Sequence, residues 1–243
     1  MIKLVDLLSE FPKKIDHSRT IPELMKRVLS MPTLSSKEML SVTSKINEEG
    51  MYFWYLTPDG AKRWEKVLSL ATGKPQTLAY CKTNDEGNYL VYVGIAGKTD
   101  PKRKSGLNGR LYNHIGAGGG PRESSLRAKI FTVLFNDMNI WDDFIFQSNQ
   151  KDGGGQYFTE YRGQYDDFIA ENFKFNFIRA ADIDLDKDLP IKKAIEAIEE
   201  EFINSCVLHF NDNFVPDEFK PLTVTKINPS KYSKKDRIRY NKT

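Results

Sequence analysis

Two side chains that suit phosphate chemistry stand one helical turn apart in the segment SGLNGRLYNHI. Arg110 and His114 are spaced i and i+4, so on a helix both leave the same face. Leu107, Leu111 and Ile115 form the neighbouring apolar stripe. We therefore predict that the arginine and the histidine border a cleft beside the core. An arginine can bind a phosphate through two parallel hydrogen bonds, and a histidine can transfer a proton near neutral pH.

A second segment, LVYVGIAGKTD, changes from an apolar strand to a glycine turn and a lysine. Gly97-Lys98-Thr99 matches the end of the nucleotide-binding pattern GxxxxGK[ST], but the residue five positions before Gly97 is Tyr92 rather than glycine. This loop is too short to wrap a nucleotide phosphate in backbone amides. In addition, DPKRK follows it where such a site has a helix. The segment favours another kind of phosphate site, with Lys98 at its rim.

The segment AIEAIEEEFINSCV supplies acids on a predicted helix. On a helical wheel at about 100° per residue, its apolar residues form one stripe. Glu199 is the acid nearest to that stripe, which makes it the glutamate best placed to face a groove. Glu200 points away from the stripe, into solvent. The predicted stripe comprises Ile191, Ile195, Ile198, Phe202 and Cys206, and the acids off its edges are Glu196 and Glu201.

The two strand motifs, the arginine–histidine pair and the late acid occur in an order that resembles the GIY-YIG nuclease superfamily. The motifs are GMY, YVG and RLYNH. The frame also looks like a bacterial, restriction-endonuclease-like branch with a helix inserted between the two motif strands. The resemblance covers roughly residues 50 to 228. It implies an endonuclease that hydrolyses phosphodiester bonds with one divalent ion, Mg²⁺ or Mn²⁺, in each active site. The implied catalytic residues are Tyr52, Tyr92, Arg110, His114 and Glu199, with Glu199 as the metal ligand.

Two positions depart from that family pattern. Tyr52 and Tyr92 lie farther apart than the two motif tyrosines usually do, so the resemblance requires an insertion. Tyr80, in LAYC, is a rival for the first tyrosine, but we prefer Tyr52 because its glycine and its strand context match. The late asparagine is also displaced, because Thr223 follows the PL dipeptide and the nearest asparagine is Asn228.

Each implied residue has a physical role in cleaving a phosphodiester, whose negative charge repels nucleophiles. Glu199 would hold the ion that stabilises the leaving oxygen, and Arg110 would bind the scissile phosphate. Tyr52 or Tyr92 would orient the attacking water or act as general base. Since an unperturbed tyrosine has a pKa near ~10, the latter role requires a nearby cation that lowers this pKa. His114 would relay the proton or contact the phosphate.

The surrounding pattern indicates which elements hold these side chains. Residues 1–48 show three apolar helical stripes punctuated by prolines. GMYFWYL, NYLVYVGI and FKFNFIRA are predicted strands, TLAYC is predicted to form a hairpin with NYLVYVGI, and Leu189–Phe210 is a predicted long helix. The expected fold class is therefore α+β, a small and mainly antiparallel sheet flanked by helices. The expected organisation is an N-terminal helical region over 1–48, a nuclease-like domain over 49–230 with an insertion around 130–175, and a basic tail over 231–243.

Local basic clusters suit a polyanionic partner, although the net charge of the chain is only +3. We expect DNA that is bound through its backbone, by contacts that position it without reading its bases. No apolar run approaches the ~20 residues of a membrane span. The two cysteines and three histidines form no metal-binding pairs. These features predict a cytoplasmic protein without zinc or disulfides. The predicted nucleic-acid contacts are Lys98, Lys102, Arg103, Lys104, Arg127 and Asn228.

Three functions follow as hypotheses. The first is a metal-dependent DNA endonuclease of restriction or phage-defence type, which would need a homodimer or sequential nicking to cut both strands. The second is a catalytically inactive nucleic-acid-binding module of the same fold, whose DNA binding would be salt-dependent and insensitive to EDTA. The third is a nucleotide-binding regulator that uses Gly97-Lys98-Thr99. The complete set of two tyrosines, an arginine, a histidine and a glutamate favours the first, because a binding module does not need all five.

Overall fold

The computed structural model consists of helices around one small antiparallel sheet. It describes residues 20–72, 77–79, 81–97, 106–115, 161–183 and 191–205, together with Leu126, Ile130, Leu134 and Met138. The strands are β1 Gly50–Leu56, β2 Tyr89–Ala96 and β3 Phe173–Arg179. The helices are α1 Thr20–Ser30, α2 Ser36–Thr43, α3 Pro58–Thr72, α4 Leu107–Ile115, α5 Arg162–Asn172 and α6 Ile191–Ser205, with a short 3₁₀ turn at Ala180–Asp182.

The sheet has the strand order β2-β1-β3, and both pairings are antiparallel. The central strand β1 is buried at all seven positions, because both faces of the sheet are covered and its residues are aromatic or aliphatic after the first glycine. The register places Tyr52 opposite Gly94 on β2 and opposite Phe177 on β3. The structure confirms the predicted α+β class, and α3 is the helix expected between the two motif strands.

The two faces of the sheet pack against different helices. Tyr52 and Trp54 belong to the core cluster that includes residues of α2, α3, α4 and α5. Met51 and Phe53 belong to a second cluster on the opposite face, with residues of α1 and α6. This division follows from the alternation of side chains along a strand. As a result α4, which carries the arginine–histidine pair, and α6, which carries the acids, lie on opposite faces of the sheet.

The described part of the predicted N-terminal helical region, residues 20–48, packs directly on this sheet. Residues of α1 and α2 lie in the two core clusters, on opposite faces. Between them, Leu34 pairs with Phe175 of β3 through two backbone hydrogen bonds of 2.7 and 2.9 Å. Ser35 and Glu38 form a capping box at the start of α2, which satisfies amide groups that the first helical turn leaves free. These contacts fix the N-terminal helices to the strands that hold the motif tyrosines.

Two predictions about local structure are wrong. The expected hairpin strand TLAYC is absent from residues 77–79, and only an isolated bridge joins Thr83 to Tyr89. β2 pairs instead with β1, while Leu78 and Cys81 pack into the core. Ile191, expected in the buried stripe, is 49% exposed, because it is the first residue of α6 and precedes the part of the helix that contacts the sheet.

None of the helices in the described part of the chain has the length and apolar content needed to cross a membrane.

Candidate active site

The candidate site lies at the outer edge of β2, where side chains from the two faces of the sheet converge. Tyr52 projects from the central strand on the α4 face. Glu199 comes from α6 on the other face, yet Arg110 of α4 acts electrostatically on both Tyr52 and Glu199. In the described sheet β2 is an edge strand and contacts both helices, so we infer that the charged groups of the two helices approach each other at this edge. The site is therefore built by one strand pair and two helices.

A hydrogen bond joins the first motif tyrosine to the histidine of α4. The Tyr52 hydroxyl and Nε2 of His114 are 2.8 Å apart, and both side chains are buried. Their rings lie with centroids 5.5 Å apart. The bond spans 62 positions of sequence, so it fixes α4 against the centre of the sheet. The sequence predicted that these two residues belong to one site, and the structure brings them into direct contact.

Burial governs the acidity of Tyr52. Loss of solvent raises the pKa of the Tyr52 hydroxyl well above its ordinary value, and the neighbouring Tyr92 and Glu199 raise the pKa further. Arg110 lowers this pKa, but its effect is smaller than that of burial. Arg110 thus acts on Tyr52 in the expected direction, but the net shift of this pKa is upward. In this arrangement Tyr52 keeps its proton near neutral pH.

Gly94 leaves the space that the Tyr52 ring occupies. A Cβ atom at position 94 would lie 2.5 Å from both Cζ and the hydroxyl oxygen of Tyr52, and 2.8 Å from the ring of Tyr92. Tyr52 thus crosses the backbone of β2 at the one residue without a side chain, directly opposite it in the register. The YVG motif therefore has a steric meaning: its glycine allows the tyrosine of the central strand to reach the edge of the sheet.

Tyr92, the second motif tyrosine, lies beside the first and is only half-buried. Its ring centroid is 6.1 Å from that of Tyr52 and 6.4 Å from that of His114. Since Tyr52 is fully buried, Tyr92 is the motif tyrosine with access to solvent. The structure separates the two tyrosines, which the sequence left as equivalent candidates, by their exposure.

Arg110 and His114 share the helix α4 but have different surroundings. His114 is buried against the sheet, whereas the side chain of Arg110 is exposed at the rim. The segment before β1 fixes the start of α4: the amides of Leu107 and Asn108 donate to the carbonyls of Glu48 and Ile46 at 2.9 and 3.1 Å. Arg110 is therefore held on an anchored helix with its guanidinium free to meet a ligand from solvent.

Glu199 is a half-buried carboxyl with a perturbed acidity. Burial raises the pKa of Glu199 to about 7, the nearby Glu196 also raises it, and Arg110 lowers it. Ile195, Ile198 and Phe202 form the buried side of α6, as the helical wheel predicted. Glu196 and Glu200 are exposed, so Glu199 is more buried than either of them, while the side chain of Glu201 lies outside the described part of the chain.

The residues present fit a hard divalent cation held by few protein ligands. Among the described residues, no three His, Cys, Asp or Glu side chains gather into a metal cage. Glu199 supplies a single carboxylate whose charge is poorly compensated by its surroundings, as its raised pKa shows. Mg²⁺ keeps several waters and often binds through one or two carboxylates. A carboxylate of this kind can therefore hold such an ion.

The remaining predicted contacts lie outside the described residues. These are Lys98, Lys102, Arg103, Lys104, Arg127 and Asn228, as well as the rival tyrosine Tyr80.

Two contacts that position α4 were not predicted from the sequence. One is the docking of residues 44–48 on the start of α4, and the other is a hydrogen bond from Tyr165 to the end of α4. Neither has a local sequence signal, because both join segments that are distant along the chain.

Comparison with known protein families agrees with this geometry. Residues 50–226 match the GIY-YIG catalytic domain. The match covers more than half of the chain and includes both motif strands, α4 and α6. The chain therefore belongs to the GIY-YIG family of nucleases. No curated protein and no solved structure matches it.

We expect Gly94→Ala to disrupt the site. The added methyl group meets the Tyr52 ring in a closed core, where overpacking costs about 1–3 kcal/mol, and it displaces the hydroxyl from His114. The free energy of unfolding, measured with urea, should fall by that amount. Gly163→Ala is the matched control, because a Cβ there has no neighbour within 4 Å, and alanine favours a helix by up to ~1 kcal/mol. Equal stability of the two variants would contradict the close packing of Tyr52 on Gly94.

The raised pKa of Glu199 predicts a pH-dependent stability of the metal-free protein. A carboxyl that binds its proton more tightly when folded stabilises the fold below its unfolded pKa, and this stability is lost as pH rises towards about 7. Glu199→Gln removes the loss. In EDTA, the variant should gain stability relative to the wild type between about pH 4.5 and 7.5, on the order of 1 kcal/mol after solvent screening.

Thermal unfolding across this pH range tests the prediction. Glu200→Gln removes the same charge from an exposed position on the same helix and is the control. A Glu199→Gln curve that runs parallel to the Glu200→Gln curve at every pH would contradict the assigned environment of Glu199.

Proposed function

We propose that this protein is a metal-dependent DNA endonuclease whose active site is the β2 edge described above. The observation that carries the proposal is the convergence of Tyr52, His114, Arg110 and Glu199, which come from three elements on both faces of the sheet. Such a set has the parts that phosphodiester cleavage needs: a cation for the phosphate, a carboxylate for a metal, and hydroxyl and imidazole groups for water and protons.

Arg110 is proposed to bind the scissile phosphate. Its side chain is exposed at the rim, and a planar guanidinium can donate two parallel hydrogen bonds to phosphate oxygens. Its positive charge would offset the negative charge that repels an attacking nucleophile. The same charge already acts on Tyr52 and Glu199, so a phosphate on Arg110 would lie beside both.

Glu199 is proposed to hold the divalent ion. Bound Mg²⁺ or Mn²⁺ would supply Lewis-acid stabilisation of the phosphoryl and leaving oxygens. The carboxylate of Glu199 is partly shielded from water, so a bound cation would stabilise its negative charge. Glu196, one helical turn away, adds negative charge that strengthens the attraction.

The two tyrosines are proposed to have different roles. Tyr52 is buried and keeps its proton, so it serves as a donor that orients its neighbours and not as a base in this state. Tyr92 is half-buried beside it and is the tyrosine that can contact the attacking water. His114 is hydrogen-bonded to Tyr52. Its imidazole can accept or return a proton through the Tyr52 hydroxyl.

The proposed DNA contacts and the proposed biological role come from the sequence. Lys98, Lys102, Arg103, Lys104, Arg127 and Asn228 would contact the DNA backbone. Such contacts position a duplex and weaken with salt. A restriction or phage-defence role in the cytoplasm is proposed from the resemblance to restriction-type members of the family.

A cleavage assay on mixed unmodified genomic DNAs tests this proposal. With Mg²⁺ or Mn²⁺ the wild type should cut, and EDTA should stop it. Discrete bands would indicate a sequence-specific enzyme and a smear a nonspecific one. Arg110→Ala and Glu199→Gln should each lower the rate at least ~100-fold, and Arg110→Lys should recover little because it keeps the charge but loses the planar fork.

Two variants control for the loss of charge alone. Arg162→Ala and Glu200→Gln remove a cation and an anion from α5 and from the exposed side of α6, and both should keep wild-type rates. DNA binding that survives EDTA, without cleavage under any of these conditions, would reject the nuclease in favour of an inactive binding module.

A further inference from the structure

We propose that Tyr165 is a positioning residue that sets the location of His114 in the active site. This inference rests on the nuclease function proposed above. Tyr165 lies on α5 and has no place in the motifs that define the site. Its hydroxyl nevertheless donates a hydrogen bond of 3.0 Å to the backbone carbonyl of His114.

The contact is at a point where α4 needs a partner. His114 is in the last turn of α4, which ends at Ile115, and the carbonyls of a last helical turn have no partner within the helix. Tyr165 is fully buried, so its hydroxyl and this carbonyl meet away from water. A buried hydrogen bond of this kind favours one geometry, because water cannot readily replace either partner.

His114 is consequently held by two tyrosines from two directions. Tyr52 fixes its imidazole at 2.8 Å, and Tyr165 fixes its backbone at 3.0 Å. The first contact sets the direction of the ring, and the second sets the position of the main chain from which the ring extends. If the second is lost, the ring must follow any movement at the end of α4.

The other end of α4 is already fixed, so the effect of Tyr165 falls on the end that carries His114. The side chain of Asn108 donates to the carbonyl of Ser44 at 2.9 Å, in addition to the backbone bonds to residues 46 and 48. A Cβ on Gly106 would lie 2.5 Å from the backbone of Asn47. The start of the helix is therefore a fixed point, and the hydrogen bond from Tyr165 holds its other end.

α5 is a firm support for this purpose. Phe168 and Ile169 are buried in the same core cluster as the sheet. At its end, the carbonyl of Asn172 accepts a 2.9 Å hydrogen bond from the amide of Thr57, and Gly60 packs closely against Asn172. These contacts join α5 to the junction between β1 and α3. They therefore fix the position of Tyr165 relative to β1, the strand that carries Tyr52.

The test compares two buried tyrosines. Tyr165→Phe removes one hydroxyl that donates to a backbone carbonyl. Tyr55→Phe removes such a hydroxyl on the other face of the sheet, where the Tyr55 hydroxyl donates to the carbonyl of Val28 at 3.2 Å and also accepts a 3.1 Å hydrogen bond from the side-chain amide of Asn176. Both are fully buried, and the control also loses the bond from Asn176, so an effect of lost stability alone should not spare Tyr55→Phe. Thermal unfolding establishes that both fold.

We expect Tyr165→Phe to lower kcat for DNA cleavage about tenfold or more, because displacements near 1 Å impair catalysis strongly, with KM unchanged. Tyr55→Phe should stay within about twofold of the wild type. A kcat for Tyr165→Phe that equals that of Tyr55→Phe overturns the proposal.

A second readout does not depend on cleavage. In protein with ¹⁵N-labelled histidine, a His114→Asn variant identifies the ring signals of His114 among the three histidines. Tyr165→Phe should shift these signals and Tyr55→Phe should not. Unchanged His114 signals in Tyr165→Phe overturn the positioning role. If the wild type does not cleave DNA, the proposed function fails, and the ring signals alone then decide the role of Tyr165.

Discussion

The hydrogen bond between Tyr52 and His114 is the contact on which the site depends. It joins the central strand of the sheet to the helix that carries Arg110, and it lies in the core, where water cannot replace it. To reach His114 the tyrosine must cross β2, and only a glycine at position 94 allows this. The register of β1 and β2 then follows, because a shift by one residue would place a side chain under the Tyr52 ring.

This construction puts charged groups at the edge of an apolar core. Burial raises the pKa of both Tyr52 and Glu199, and the single guanidinium of Arg110 opposes the shift for both. The metal-free site therefore holds a neutral tyrosine and a carboxyl that titrates near neutrality. A divalent ion and a phosphate would complete its charge balance, because each would find an opposite charge close by. The perturbed acidity is thus the electrostatic counterpart of the proposed chemistry.

Much of this arrangement could be predicted from the sequence where a local pattern carries it. The strands around Tyr52 and Tyr92, the helix with Arg110, and the wheel that selects Glu199 all have clear periodicity. The high pKa of Tyr52 could not be predicted, because it depends on packing between segments 62 positions apart. The predicted hairpin at TLAYC is wrong because a hydrophobic run does not specify which strand it pairs with. In the structure, β2 pairs with β1. Tyr165 has no motif, so only the folded chain reveals its contact.

In the proposed active site, Arg110 and Glu199 bind a phosphate and a metal ion side by side at the β2 edge. A crystal structure with Mn²⁺ and a duplex that carries an uncleavable phosphorothioate linkage tests this arrangement, because anomalous scattering locates the ion. We expect an anomalous peak at the Glu199 carboxylate and a phosphate of the duplex on the Arg110 guanidinium, with the Tyr52–His114 bond intact. An ion bound away from Glu199, or DNA that leaves Arg110 in solvent, would contradict this account.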